Sequence, residues 1–116
     1  MSEQDAECLF CKIVAGEIPA DKLYEDEVIL GFRDIHPQAP LHGLVIPKVH
    51  IATLNDFDTS QGDLLAGLLL AARRIALDQG LPGYRVAMNV DRAGGQVIFH
   101  AHLHVIGGRA LSGKLG

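Results

Sequence analysis

No cluster of lysine or arginine occurs in this chain of 116 residues, and its formal net charge is −4. A nucleic-acid-binding module normally shows a basic stripe, so that partner class is excluded and any anionic ligand must be held by local groups. No apolar run approaches the roughly 18 residues of a membrane span, so no membrane partner is expected. The opening MSEQDAE is acidic and polar, without the basic and apolar regions of a secretory signal, and the expected location is cytoplasmic. Cysteine is scarce: Cys8 and Cys11 form a C-x-x-C that a reducing compartment keeps as thiols, which favours a metal or redox role over a structural disulfide. Internal repeats and low-complexity segments are absent as well.

With 48% hydrophobic and 21% charged residues, the chain has enough apolar material for one core. A single domain over residues 8–116 is expected, preceded by a flexible segment over 1–7. The run LFCKIVAG has helical spacing, which Gly16 and Pro19 stop. KLYED and VILGFRDI then read as two strands of a hairpin ending at the turn HPQAP. GLVIPK is a further strand closed by Pro47, and HIATL continues it as a short extended piece.

The one long helix lies in DFDTSQGDLLAGLLLAARRIALDQG, with Thr59 or Ser60 as N-cap and Gly80 as the stop. Leu64, Leu65, Leu68, Leu69, Ala72, Ile75 and Ala76 give it one buried face, which is core. YRVAMNV is a strand, DRAGGQ a glycine turn, and VIFHAHLHVIG a last strand ending at Gly107 and Gly108. Adjacent strands with the helices set apart imply an α+β domain with an antiparallel sheet.

Side chains alternate along a strand, so His100, His102 and His104 are expected on one side, as a row of imidazoles. At a rise of roughly 3.3 Å per residue, neighbours stand about 6.6 Å apart and the outer two about 13 Å, so the three cannot ligate one metal. A two-histidine chelate or a solvated sheet face remain open readings, but three adjacent titratable rings repel when protonated and point to a task. An imidazole can attack phosphorus and form a covalent phospho-histidine, and the middle ring is best placed for it. A flanking histidine can then contact the phosphate or the leaving group, and a hydrogen bond to the nucleophile's other nitrogen sets its tautomer. Gly94 and Gly95 let backbone N–H groups approach an anion.

The run His100-Ala-His102-Leu-His104-Val-Ile resembles the H-φ-H-φ-H-φ-φ signature of the histidine-triad (HIT) superfamily, and GGQVIFHAHLHVIGGR is similar to its Hint branch. CLFCKIVAGEIPA, FRDIHPQAPLHGLVIPKVH and GYRVAMN resemble Hint segments in the same order, so the likeness spans residues 8–109. It implies a HIT-like fold: a five-stranded antiparallel sheet with one long and one short helix, the sheets of two copies joined in a homodimer. It also implies hydrolysis of purine nucleoside 5′-phosphoramidates, the amidates of AMP or GMP, with no metal required. His102 holds the position of the attacking histidine, His104 that of the phosphate contact, and His42 completes the set near the leaving group.

By the same resemblance, Asp34 accepts hydrogen bonds from the ribose hydroxyls, and Leu9, Phe10, Ile13, Phe32 and Ile35 line the base slot. A carboxylate suits a diol and apolar walls suit a purine face, although Leu9 and Ile13 also read as ordinary core and Asp34 as a turn-former. Asn89 and Gln96 fall where the family contacts ribose or phosphate, and Gly95 joins the substrate contacts through its backbone. The position after Gln96, often serine in this branch, is Val97, which cannot donate a hydrogen bond to the scissile group. The tail ALSGKLG lacks the aromatic and proline residues with which some members approach the partner's site.

Cys8 and Cys11 would share a helix face, as two ligands of a tetrahedral zinc would need to. His50 and His100 match the positions that complete a structural Cys-Cys-His-His site in some bacterial members. The other readings are two reduced thiols, or a redox pair, which the lack of a preceding strand disfavours. For the whole chain the competing functions are a dinucleoside polyphosphate hydrolase of the Fhit-like branch and a zinc-stabilised nucleotide-binding module without turnover. His36 is expected only to decorate the turn before Pro37.

Overall fold

The computed structural model describes residues 5–114. The flexible segment expected over 1–7 therefore falls partly on residues 1–4, outside the described residues; Asp5–Glu7 form a turn, and Cys8 N–H donates to the Asp5 carbonyl at 3.0 Å. The Cys8 thiol then caps the N-terminus of α1 (Leu9–Val14) by accepting from Cys11 N–H. The first cysteine thus anchors the helix that carries the second.

Strands β1 (Lys22–Glu25), β2 (Ile29–Arg33) and β3 (Leu41–Pro47) form a meander, α2 (Gly62–Asp78) crosses the sheet, and β4 (Tyr84–Ala87) and β5 (Leu103–Gly107) complete it. The order is β1-β2-β3-β5-β4, antiparallel throughout. The implied fold is thus the observed one: five antiparallel strands, one long helix and one short.

Helix α2 buries Leu68, Ala71, Ala72, Ile75 and Ala76 against Ile29, Val45, Leu103 and Val105. Gly31 permits this approach, since a Cβ there would stand 2.7 Å from Ile75 Cδ1. The other face of the sheet receives α1, whose Phe10 and Ile13 pack on Leu30, Phe32, Leu44 and Ile46. β2 and β3 are covered on both faces and are nearly all buried, as central strands are. On the α1 side, register aligns Phe32, Leu44, His104 and Ala87 in one cross-strand row. That row is the floor of the candidate site.

Several local expectations are corrected. The last strand starts at Leu103, so His100 and His102 precede the ladder and only His104 lies within it. Pro47 ends β3 without an N–H to give, its carbonyl goes to the His100 ring, and Ala101 N–H turns to the Ile51 carbonyl instead. HIATL joins no sheet strand: its Thr53 is extended, and its last residue opens a 3-10 turn, Leu54–Asp56, that Thr53 caps. Neither Thr59 nor Ser60 caps the long helix: Asp58 caps a 3-10 turn that feeds into Gly62, with Gln61 bonding back to it. Gly80, at φ +66°, does end it.

Candidate active site

A cavity of about 630 Å³ opens on the α1 side of the sheet. Its apolar lining includes Leu9, Phe10, Ile13, Phe32 and Ile35, the five expected for a base slot. Phe10 is buried and meets Phe32 edge-on at 5.4 Å, whereas Ile35 is 84% exposed at the rim. Asp34, Asn89 and Gly95 also line the cavity, and so do His42, His102 and His104. Sequence reasoning did not foresee His36 and Gln38 in the same wall.

The rings are held in defined tautomers. His102 Nδ1 lies 2.8 Å from the His100 carbonyl oxygen, an acceptor, so Nδ1 carries the proton and Nε2 keeps its lone pair. Phe10 stands edge-on to this ring at 5.3 Å. Burial lowers the His102 pKa, and the neutral ring is the form that can attack an electrophile.

His42 Nδ1 accepts the Gln38 backbone N–H at 3.0 Å, which leaves the His42 proton on Nε2. That proton is donated to His104 Nδ1 at 2.9 Å, so the proton of His104 sits on its own Nε2. Burial, with His102 and His42 alongside, lowers the His104 pKa to about 4. Asp34 Oδ2 lies 3.5 Å from His42 Nε2, while its Oδ1 accepts from His36 N–H at 2.9 Å, so the carboxylate is both turn-former and cavity wall. Asp34, His42 and His104 also come within metal-binding reach of one another. A cation on His42 Nε2 would force that ring's proton to Nδ1, against the Gln38 N–H, so the hydrogen-bonded chain opposes it.

Gln96 departs from its expected role. It is buried, both amide protons go to the Ala52 and Ile98 carbonyls, and its oxygen accepts Asp91 N–H. It braces the loop rather than facing a ligand. Its neighbour Val97 is 86% exposed on the cavity rim.

Behind the cavity, Cys8, Cys11, His50 and His100 bring one ligand atom each within 4.8 Å of one another. His100 Nε2 donates to the Pro47 carbonyl at 2.7 Å, which frees Nδ1, 3.3 Å from Cys8 Sγ and 3.5 Å from Cys11 Sγ. His50 Nδ1 is 3.4 Å from Cys11 Sγ. Two thiols and two imidazoles, one oriented by a backbone acceptor, suit a structural zinc ion. Burial pushes the Cys11 thiol up to about 11, a cost that a cation among these atoms would reverse by taking the thiolate.

Among the described residues, no helix is long and apolar enough to cross a membrane. The family model of the HIT domain matches residues 15–111. The chain is 43% identical over 111 residues to a purine nucleoside phosphoramidase of Escherichia coli, covering 94% of this chain and 93% of that one. It superposes on a HIT family hydrolase from Legionella pneumophila Philadelphia 1 with a TM-score of 0.91 and 52% identity, covering 95% of this chain and all of that one. A zinc-bound histidine triad protein from Mycobacterium smegmatis matches with a TM-score of 0.79 and 40% identity, over 89% of this chain and 76% of that one. With the histidine constellation and the sheet in place, these matches establish that the chain belongs to the HIT domain family.

Proposed function

We propose that this protein hydrolyses the P–N bond of purine nucleoside 5′-phosphoramidates through a nucleotidyl-histidine intermediate on His102. The observation that carries this reading is the His102 Nδ1–H bond to the His100 carbonyl, which leaves Nε2 unprotonated in a cavity lined by both apolar and polar side chains. Support also comes from the phosphoramidase named in Escherichia coli.

In the first half-reaction, the Nε2 lone pair of His102 attacks the α-phosphorus and the P–N bond breaks towards nitrogen. His104, its proton on Nε2, contacts the phosphate and is the donor beside the nucleophile for the departing amine, which Val97 cannot serve. In the second, water attacks phosphorus and its proton returns to His104 Nε2, the bond to His102 breaks back onto Nε2, and nucleoside monophosphate leaves. Asp34 accepts from the ribose hydroxyls, with Asn89 and Gly95 flanking, and Leu9, Phe10, Ile13, Phe32 and Ile35 enclose the base.

The zinc that Cys8, Cys11, His50 and His100 would hold supplies rigidity behind the nucleophile and no chemical step. The working unit is a single domain over 8–116, paired as a homodimer: β4 is an edge strand, and Leu69, Leu70 and Leu77 of α2 are exposed. The location is cytoplasmic, where the two thiols stay reduced.

The test is release of AMP from adenosine 5′-phosphoramidate by the natural chain and by His102→Ala, both in EDTA. Turnover by the first and none by the second supports the metal-independent nucleophile. No turnover by either, with the chelator or without it, overturns the hydrolase reading and leaves a nucleotide-binding module.

A further inference from the structure

Gly108 and Arg109 lie just past the end of β5, yet both touch the loop that contributes His36 and Gln38 to the cavity wall. The Arg109 guanidinium donates to the Gln38 carbonyl oxygen from Nη2 at 3.2 Å and from Nε at 3.4 Å. Gly108 has φ +92°, and a Cβ there would stand 2.9 Å from Pro40 Cβ, so glycine alone lets the strand end lie against that proline. Two consecutive residues therefore dock one loop by independent contacts.

The docked residue decides a proton position. Gln38 N–H, in the residue whose carbonyl Arg109 holds, is the donor to His42 Nδ1, and His42 in turn donates to His104. Were this N–H turned away, His42 could carry its proton on Nδ1. His104 Nδ1 would then become the donor, and His104 Nε2 would face an anionic substrate with a lone pair instead of a proton. Asp34 Oδ2, 3.5 Å from His42 Nε2, favours the same arrangement as Gln38 but at a longer distance.

We propose that Arg109 is a positioning residue for the histidine pair: by holding the Gln38 carbonyl it keeps the Gln38 N–H on His42 and so keeps the His104 proton on Nε2. The consequence for catalysis rests on the role proposed above for His104; the tautomer itself does not. Arg109 touches no reacting atom. Its action passes through the backbone of one residue, Gln38, from its carbonyl to its own N–H, and then through two rings.

The experiment is long-range proton–nitrogen NMR of the histidine rings in the natural chain, Arg109→Ala and Arg109→Lys, alongside kcat and KM for adenosine 5′-phosphoramidate. In the natural chain His42 and His104 each show a single Nε2–H tautomer. In Arg109→Ala both show a second tautomer, His102 keeps its Nδ1–H, and kcat falls about three- to tenfold with KM held, the scale of one hydrogen bond. Arg109→Lys, which retains a donor, recovers part of both changes. Single tautomers persisting in Arg109→Ala, or His102 losing its tautomer along with the other two, overturn the proposal. If the natural chain hydrolyses nothing, the hydrolase reading fails, while the tautomer comparison still decides this one.

Discussion

Nδ1 of His102 lies 2.8 Å from the carbonyl oxygen of His100, and the His100 ring turns the opposite way, into the cysteine pair. One peptide carbonyl thus separates the thiol cluster from the ring in the cavity. Phe10, between the two cysteines in the chain, reinforces the link by meeting His100 at 5.9 Å and His102 at 5.3 Å, both edge-on. Whatever steadies the cluster steadies the His102 ring.

That coupling predicts the response to metal removal. The protein as purified should carry one zinc per chain by elemental analysis, and Cys11→Ser should carry far less. Chelation should lower the Tm of the natural chain by on the order of 10 °C and leave Cys11→Ser unmoved. Equal metal content in the two proteins would remove Cys11 from the ligand set.

The pH dependence follows from burial. The His104 pKa falls from its ordinary 6.5 to about 4, so the unfolded chain binds a proton that the folded chain refuses between those values. The depressed value therefore costs stability as pH drops from 6.5 towards 4, and the loss levels off below. Urea midpoints measured across this range should decline in His104-containing protein and decline less in His104→Gln. The rate should stay flat through pH 6.5, because His102 also holds its neutral form below the ordinary histidine value.

Val97 offers the reaction no proton. Val97→Ser should raise kcat up to about tenfold on amidates of alkylamines, whose nitrogen must be protonated to leave, the scale of one added hydrogen bond. Amidates with an activated, weakly basic amine should gain nothing. A uniform gain on both would place the effect on binding rather than on departure of the amine.

Asp34→Asn should raise KM for ribonucleoside amidates about ten- to a hundredfold, the scale of a hydrogen bond to a charged group. It should leave 2′,3′-dideoxy analogues little affected. Equal losses on both substrates would assign Asp34 to the His36 turn alone.

Much of the site was legible because its chemistry is carried by residue type at fixed spacing. His102, His104, Asp34 and the apolar set Phe10, Ile13 and Phe32 were recognisable from their motifs and do line one cavity. What failed were readings that treated a segment as isolated. HAHLHVI alternates as a strand should, but Pro47 interrupts the neighbouring edge, and His100 and His102 form side-chain and loop bonds instead of ladder bonds. Gln96 looked like a ligand contact because it is polar and beside a glycine turn, yet three backbone groups claim its amide. The Gln38 N–H carried no signal at all, since any residue but proline supplies one.

The amino-acid sequence by itself determined the one long and one short helix, the antiparallel class of the sheet and the residue types that line the cavity, because hydropathy period and side-chain chemistry are local properties. Only the tertiary structure decided which nitrogen of His42, His100, His102 and His104 carries the proton. Those protons are assigned by the Pro47 and His100 carbonyls and the Gln38 N–H, backbone partners whose direction depends on how the chain folds back on itself.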